Sequence, residues 1–281
     1  MLAPAKINLY LHVVGRRPDG YHLLDSLIVF AETGDVVTTE PASDLALAID
    51  GPFAGKLAAD DDNLVLRAAR GLRDVTGATA GARIKLTKNL PVASGIGGGS
   101  ADAAATLRAL SALWRVTPVR ADLEKLALQL GADVPVCLDS KPSFIGGVGE
   151  EIAPAGALPP VHMLLVNPGI GTSTPAVFKA RTAGFSQPAR WMVSPGDAHA
   201  LAEALKTRRN DLTDPAIIVT PVIRDVLAAI DRTTDCLLAR LSGSGATCFG
   251  LYATAEAAAA ARQRIAAAHP AWWAVATRIA G

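Results

Sequence analysis

The residues best suited to chemistry in this sequence form a glycine-rich turn, Gly95 to Gly99, which Ser100 follows directly. Residues 101–114 contain no glycine or proline and many alanines and leucines, which predicts a helix. Glycines let backbone N–H groups approach a ligand closely, and a helix start adds unpaired donors and the positive end of its dipole. The pattern predicts a phosphate-binding turn. A tight turn that serves chain geometry alone is the alternative.

A predicted strand, residues 83–90, leads into this turn, with Ile84, Leu86, Lys88 and Leu90 on one face. Two common nucleotide-binding patterns do not fit. A P-loop needs Lys and then Ser or Thr after its last glycine, and here Ser100 and Ala101 follow. A dinucleotide fingerprint needs glycine where Ser100 stands. The His-Arg-Asp and Asp-Phe-Gly signatures of protein kinases are also absent from the sequence.

Two charged residues elsewhere could take part in catalysis. Asp133 follows a predicted helix that begins at Pro118 and ends at Leu130, and it precedes a predicted apolar strand. Lys6 lies on the polar face of the first predicted strand, residues 5–14. Such an Asp is ordinarily a turn residue, and such a Lys is ordinarily solvated. Phosphoryl transfer to an alcohol, however, needs an acceptor for the hydroxyl proton and a nearby cation.

Aromatic residues mark two further candidates. Tyr21 and His22 lie where a predicted turn, residues 15–20, meets the second predicted strand. Phe178 and Thr174 belong to the start of a predicted helix after a proline-rich linker. A Tyr offers a flat face to a base and a His offers ring nitrogens to its polar edge. A hairpin corner, a helix cap and a buried aromatic are the alternatives.

Composition limits the class of protein. The chain has 281 residues, enough for one large or two medium domains, and a net charge of +1 gives no electrostatic argument for nucleic acid or an acidic membrane surface. Its three cysteines show no Cys-x-x-Cys spacing, which indicates no disulfide framework and no zinc site. The first residues do not resemble a signal peptide, and prolines interrupt the long uncharged stretch, residues 152–178. We expect a soluble cytoplasmic protein with no membrane or nucleic-acid partner.

The segment from Pro91 to Ala101 resembles the second motif of the GHMP small-molecule kinases, Pro-x-x-x-Gly-Leu-Gly-Ser-Ser-Ala. Gly98 and Gly99 stand where that superfamily has two serines. This variant is similar to one branch, the 4-diphosphocytidyl-2-C-methyl-D-erythritol kinases of the non-mevalonate isoprenoid pathway. Six segments resemble that branch in order along the chain: residues 4–9, 19–22, 91–101, 131–136, 172–178 and 242–248.

The resemblance implies ATP-dependent phosphorylation of the 2-hydroxyl of 4-diphosphocytidyl-2-C-methyl-D-erythritol, with Asp133 as the catalytic base and Lys6 beside it. The implied ATP-binding residues are Pro91, Val92, Ala93, Ser94, Gly95, Ile96, Gly97, Gly98, Gly99, Ser100 and Ala101. The implied substrate-binding residues are Asn8, Tyr21, His22, Thr174, Phe178, Gly243 and Ser244. Tyr21, His22 and Phe178 would hold the cytosine. Mg²⁺ is expected because it neutralises the polyphosphate, and the sequence offers no evident protein ligand for it.

The alternation of strands and helices after residue 160 predicts an α+β sandwich of the ferredoxin-like kind. The resemblance implies a two-domain α+β GHMP kinase fold with the active site between the domains. Residues 1–153 would form an ATP-binding domain like ribosomal protein S5 domain 2, and residues 154–281 the ferredoxin-like C-terminal domain.

Two rival functions are open at this point. Another GHMP kinase, for homoserine or mevalonate, would share the glycine-rich turn but not Asp19-Gly-Tyr-His22 together with Thr174 and Phe178. A non-catalytic nucleotide-binding regulator would keep the turn but lose Asp133 or Lys6.

Overall fold

The computed structural model describes residues 1–280, which form two compact units, each built from several chain segments. The first unit contains residues 1–5, 34–92 and 97–140, and the second contains the described residues 6–33, 93–96 and 141–280. The predicted division after residue 153 follows the order of the sequence and stays a prediction. Within residues 1–280, no helix combines the length and apolar character needed to cross a membrane.

The first unit combines a small sheet with four helices. Residues 36–42 of strand β2 (His22–Ala42) pair antiparallel with β4 (Gly81–Thr87), which pairs in parallel with β3 (Leu45–Asp50). One 3-10 turn, Ala54–Lys56, follows β3. The helices are α1 (Leu64–Thr76), α2 (Gly98–Trp114), α3 (Arg120–Leu130) and α4 (Val134–Asp139).

Helix boundaries in this unit follow local chemistry. Asn63 begins α1 by accepting a hydrogen bond from Val65 N at 3.0 Å, and Gly77 ends it with φ +69°. Helix α3 begins at Arg120, two residues after the predicted start. The strand predicted after Asp133 is wrong, because these residues form α4. Pro135 lies in the first turn of that helix, where a missing N–H breaks no helical bond.

The second unit contains the predicted ferredoxin-like sandwich, which the strand order confirms. Four antiparallel strands lie in the order β10, β7, β9, β8, which is the order of a β-α-β-β-α-β unit. These strands are β7 (His162–Asn167), β8 (Leu238–Leu241), β9 (Cys248–Tyr252) and β10 (Trp273–Arg278). The helices are α5 (Thr174–Ala180), α6 (Ala198–Lys206), α7 (Thr213–Val219), α8 (Val222–Asp231) and α9 (Ala255–Ala268).

Three other strands in this unit carry functional candidates or support them. Strand β1 (Leu2–Arg16) enters the unit at Lys6, and Leu11 and Val13 of this strand join the apolar core of the sandwich. Residues 26–28 of β2 pair with β5 (Ser143–Gly146), and β5 pairs with β6 (Glu151–Pro154). Helix α8 contributes Ile223, Val226 and Ile230 to the same core, at spacings that share one helix face.

Arg240 of β8 joins three parts of the second unit through backbone carbonyls. Its side chain is 8% exposed and donates to Leu9 O at 2.7 Å, Leu205 O at 2.9 Å and Arg208 O at 2.8 Å. Burial, with Arg208 nearby, lowers the pKa of the guanidinium to about 10, which still leaves it charged at neutral pH. The guanidinium therefore acts as a common donor for β1, α6 and the segment after α6.

We expect Arg240→Met to lower the free energy of unfolding by about 2–4 kcal/mol, because three buried carbonyl groups lose their donor. Urea denaturation followed by circular dichroism measures this change. Arg264→Met is the matched control, since Arg264 is exposed on α9 and should change stability little. A loss below about 1 kcal/mol for Arg240→Met would contradict the assigned role.

Candidate active site

The glycine-rich turn ends at Gly97, which is the N-cap of α2 with φ +63°. The helix therefore begins at Gly98, three residues before the predicted start. Its first internal bond runs from Ala101 N to Gly97 O at 2.9 Å, which leaves the N–H groups of Gly98, Gly99 and Ser100 ahead of the helical ladder. The N-cap residue, Gly97, has no side chain that could cap these groups. The start of this 17-residue helix thus has the donors and dipole of an anion site.

A buried ion cluster lies beside this helix start. Lys88 Nζ donates to Asp102 Oδ2 at 2.7 Å and to Asp35 Oδ2, and each of these side chains is at most 3% exposed. The other oxygen of Asp35 accepts from Asn89 N at 2.6 Å and Leu90 N at 2.8 Å. Asp102 lies beyond the first turn of α2, and its buried side chain is a partner of Lys88.

The Lys88 ammonium gives a physical reason for glycine at position 98. A Cβ atom added to Gly98 would lie 3.0 Å from Lys88 Nζ, which is closer than ordinary van der Waals contact. A serine here, as in the superfamily motif, would require the ammonium to move by a few tenths of an ångström within its contacts to the two carboxylates. Gly98 and the buried Lys88 are therefore linked features of this chain.

Burial sets the charge of this cluster. The pKa of Lys88 is lowered by burial, but attraction to Asp102 and Asp35 outweighs that effect and raises it overall. Burial raises the pKa of Asp102 to about 7 against the attraction of Lys88, and the negative charge of Asp35 adds to the rise. Asp102 Oδ1 is buried and has no hydrogen-bond partner within residues 1–280. The cluster therefore holds a proton on Asp102 at mildly acidic pH.

In the second unit, the start of the glycine-rich turn contacts a second glycine-rich segment, the 242–245 loop. Gly95 has φ +76°, and a Cβ atom there would lie 2.6 Å from Ser242 O. Only glycine permits this approach. Ser242 Oγ donates to Gly95 O at 3.1 Å, and Thr247 N donates to Ser94 O at 3.0 Å. The two glycine-rich segments are therefore joined by hydrogen bonds.

Lys6 and Asn8 of β1 extend this contact. Lys6 N donates to Ile96 O at 2.9 Å, and its Nζ donates to Asn8 Oδ1 at 3.1 Å. Asn8 N donates to Ser242 Oγ at 3.2 Å, and Asn8 Nδ2 donates to Ser26 Oγ at 2.8 Å. Lys6 is only 5% exposed, so the alternative of a solvated lysine is wrong.

Asp133 is the N-cap residue of α4 in the first unit, and it is partly exposed. Lys6 belongs to the second unit, and its pairing with Asp133 stays a proposal.

Asn210 holds the 242–245 loop through its side chain. Its Nδ2 donates to Leu241 O and Gly243 O, both at 2.8 Å, which fixes the entry to that loop.

The predicted cytosine-binding residues line one cavity of about 690 Å³ in the second unit. Tyr21, His22, Thr174 and Phe178 all contribute to its wall. The rings of His22 and Phe178 stack at 4.8 Å between centroids and 26° between planes, whereas Tyr21 is 65% exposed. Thr174 Oγ1 lies 2.6 Å from Ser244 Oγ, which connects the cavity to the 242–245 loop. Its volume suits a small organic ligand.

His22 has an environment that favours the neutral imidazole. Burial lowers its pKa, and repulsion from the guanidinium groups of Arg16 and Arg181 lowers it further. A neutral ring offers one donor and one acceptor nitrogen. That pair suits the polar edge of a base, whereas a charged ring would only donate.

We expect Asp102→Asn to change how stability depends on pH. Because the folded-state pKa of Asp102 is raised to about 7, the folded protein binds more protons than the unfolded chain between about pH 4 and 7. This group therefore makes the folded state lose stability as pH rises through that range, by at most about 1.4 kcal/mol per pH unit. Asparagine keeps the shape of the neutral carboxyl group and cannot ionise, so the variant should gain stability relative to wild type between pH 5 and 8.

Unfolding in urea at several pH values measures this difference. Asp122→Asn is the control, because Asp122 is exposed on α3 and should leave the pH dependence as in wild type. If the two variants showed the same pH dependence, the buried proton on Asp102 would be ruled out.

Comparison with known proteins shows the family to which this chain belongs. The family model described as the GHMP kinases N terminal domain matches residues 63–141, and that of the GHMP kinases C terminal matches residues 191–271. The 4-diphosphocytidyl-2-C-methyl-D-erythritol kinase of Paramagnetospirillum magneticum is 58% identical over 271 residues, which cover 96% of this chain and 95% of that protein. The protein of the same name from Rhodospirillum rubrum is 52% identical and is covered to 92%, over 99% of this chain.

Solved structures extend the comparison. A crystal structure of 4-(cytidine 5'-diphospho)-2C-methyl-D-erythritol kinase aligns with a TM-score of 0.81 and 36% identity, covering 100% of this chain and 99% of that one. The L. major mevalonate kinase, solved with R-mevalonate, aligns with a TM-score of 0.72 at 16% identity over 100% and 96% of the chains, which shows a shared fold alone. The chain thus has the α+β GHMP kinase fold and belongs, within that superfamily, to the 4-diphosphocytidyl-2-C-methyl-D-erythritol kinase family.

Proposed function

We propose that the protein transfers the γ-phosphoryl group of ATP to the 2-hydroxyl of 4-diphosphocytidyl-2-C-methyl-D-erythritol. The observation that carries this proposal is the cavity lined by Tyr21, His22 and Phe178, which is joined through Thr174 and Ser244 to a glycine-rich loop. A base-binding cavity next to backbone donors suits a substrate that carries both a nucleotide and a reacting alcohol. The names of relatives that match nearly the whole chain support the same substrate.

ATP would bind with its phosphates along residues 91–101. The N–H groups of Gly98, Gly99 and Ser100 precede the helical ladder of α2, so they are available to phosphate oxygens. Gly99 is exposed and carries no side chain that would cover these donors. Preorganised backbone donors are the principal contribution that a protein makes to phosphoryl transfer.

Asp133 and Lys6 are the proposed catalytic pair. Asp133 would accept the proton of the substrate hydroxyl as the oxygen attacks the γ-phosphorus. Lys6 would supply a fixed positive charge, because its buried ammonium is held by Asn8 Oδ1 at 3.1 Å.

The cytidyl end of the substrate would bind in the cavity of the second unit. Phe178 already stacks with a flat heterocycle, His22, so its ring face suits a base. The exposed Tyr21 ring would cover the other side of the base. Neutral His22 would pair with the polar edge of cytosine, and Asn8, Thr174, Gly243 and Ser244 would contact the remainder of the substrate.

Mg²⁺ would accompany ATP, since it neutralises the polyphosphate charge. The residues present do not form a protein cage for it. No group of three or more His, Cys, Asp or Glu side chains within residues 1–280 is arranged to hold a metal ion, and Lys88 Nζ occupies the space beside Gly98. We propose that the nucleotide phosphates carry the ion, and no catalytic step is assigned to it.

A substrate panel tests the proposed reaction. Purified protein is incubated with ATP and 4-diphosphocytidyl-2-C-methyl-D-erythritol, homoserine or mevalonate, and ADP release is measured. We expect turnover with the diphosphocytidyl substrate alone, because the aromatic cavity recognises a base that the other two lack. Comparable turnover with homoserine or mevalonate would refute the proposed substrate while leaving the kinase assignment intact.

We expect Asp133→Asn to lower kcat by a few powers of ten, because the amide cannot accept the hydroxyl proton. The affinity for ATP should change little, since the glycine-rich turn is unaltered. Steady-state kinetics and titration with an ATP analogue separate the two effects. Asp139→Asn in the same helix serves as control, because that side chain pairs with exposed Arg120 at 2.8 Å. Near-wild-type turnover of Asp133→Asn would remove it as the base.

A further inference from the structure

The cavity that holds Tyr21, His22 and Phe178 is strongly cationic. Arg16, Lys179 and Arg181 also line it, and Asp19 is the one acidic residue of the lining. These four side chains together carry a net charge of +2. Asp19 already pairs with Arg17 at 2.7 Å, outside the lining. An apolar ligand or a bare base would not need this charge. The cavity is therefore matched to a ligand that carries an aromatic ring and about two negative charges.

The two arginines reach the cavity from different elements. Arg16 is the last residue of β1, and its Nε donates to Gly20 O at 3.2 Å within the turn that leads to Tyr21. Arg181 follows α5, where its Nη2 donates to Gly184 O and its Cζ lies 5.5 Å from the centre of the Phe185 ring. Both guanidinium groups lie close enough to His22 to repel its protonated form.

Neither arginine forms an ion pair with a carboxylate within the described residues, and both line the cavity. A guanidinium has five N–H donors, and the hydrogen bonds to Gly20 and Gly184 engage only part of each set. Arg181 Nε is buried and has no acceptor within residues 1–280. Two arginines with unused donors and no acidic partner are the pattern expected at a phosphate-binding site.

We propose that Arg16 and Arg181 clamp the diphosphate of the cytidyl substrate, one guanidinium for each phosphate, beside the stacked base. This inference rests on the proposed function and names the residues of the site that bind the diphosphate. The clamp distinguishes a nucleoside diphosphate ester from the nucleoside and from the monophosphate. Lys179, which is exposed, adds charge to the cavity mouth as a hydrated point charge.

Equilibrium binding of cytidine, CMP and CDP to the full chain tests the clamp. Calorimetry at low salt with wild type, Arg16→Gln, Arg181→Gln and the double variant gives a dissociation constant for each ligand. In wild type we expect CDP to bind about 100-fold more tightly than cytidine, because charge-assisted hydrogen bonds form to both phosphates. Each single variant should raise the dissociation constant for CDP about tenfold, and the double variant should bind CDP and cytidine with nearly equal affinity.

Two controls, and the use of two separate arginine variants, make the result specific. Arg224→Gln removes an exposed arginine of α8 that does not line the cavity, and it should leave all three constants unchanged. Phe178→Ala should weaken cytidine and CDP alike, which places both ligands in this cavity. Arg16→Gln keeps the proposal testable if Arg181→Gln disturbs the segment at Gly184, because Arg16 is exposed at the end of a strand.

The outcomes separate this inference from the proposed function. If the double variant binds CDP as tightly as wild type does, the clamp is overturned. It is also overturned if the affinity for cytidine falls by the same factor as the affinity for CDP. If wild type binds ADP and inorganic pyrophosphate as well as CDP, and the double variant loses all three, the clamp is supported and the cytidyl specificity is refuted. A CDP affinity that Phe178→Ala leaves unchanged would also overturn the clamp, since CDP would then bind elsewhere.

Discussion

Lys88, Asp35 and Asp102 bring three ionisable groups out of water beside the start of α2, and that burial is costly unless the groups satisfy one another. The ammonium attracts both carboxylates. Asp35 also accepts hydrogen bonds from the backbone N–H groups of Asn89 and Leu90, which follow β4. Removing Lys88 or Asp35 would leave an uncompensated buried charge, a change that typically costs about 3–5 kcal/mol, whereas a neutral Asp102 leaves the Lys88–Asp35 pair intact. The position of the first turn of α2, and hence of its free N–H donors, depends on this cluster being complete.

A second set of polar contacts, within the second unit, holds the 242–245 loop in place. The Ser242 hydroxyl accepts from Asn8 N and donates to Gly95 O, so one small side chain joins β1 to both glycine-rich segments. Asn210 holds the carbonyl groups at the entry to the same loop. Rigid backbone donors suit phosphoryl transfer, because they require no reorganisation when charge shifts during the reaction.

Sequence patterns predicted the features that depend on local chemistry. The ferredoxin-like order and the glycine-rich turn before α2 follow from the alternation of strands and helices and from the spacing of the glycines. The Lys88 cluster could not be predicted, because Asp35 lies 53 residues away along the chain. A usable signal was present, since Lys88 falls on the apolar face of the predicted strand, residues 83–90, although β4 itself ends at Thr87. The strand predicted after Asp133 failed because a short apolar run fits a buried helix equally well.

The hydroxyl pair of Thr174 and Ser244 connects the aromatic cavity to the 242–245 loop by a hydrogen bond in which either oxygen can donate. A ligand acceptor that takes the hydrogen of Thr174 leaves that oxygen free to accept from Ser244, which reverses the bond without moving a heavy atom. Ligand chemistry in the cavity thereby sets the direction in which the Ser244 hydrogen points. The hydroxyl pair can therefore accommodate either a donor or an acceptor in the cavity without a change in the positions of its two oxygen atoms.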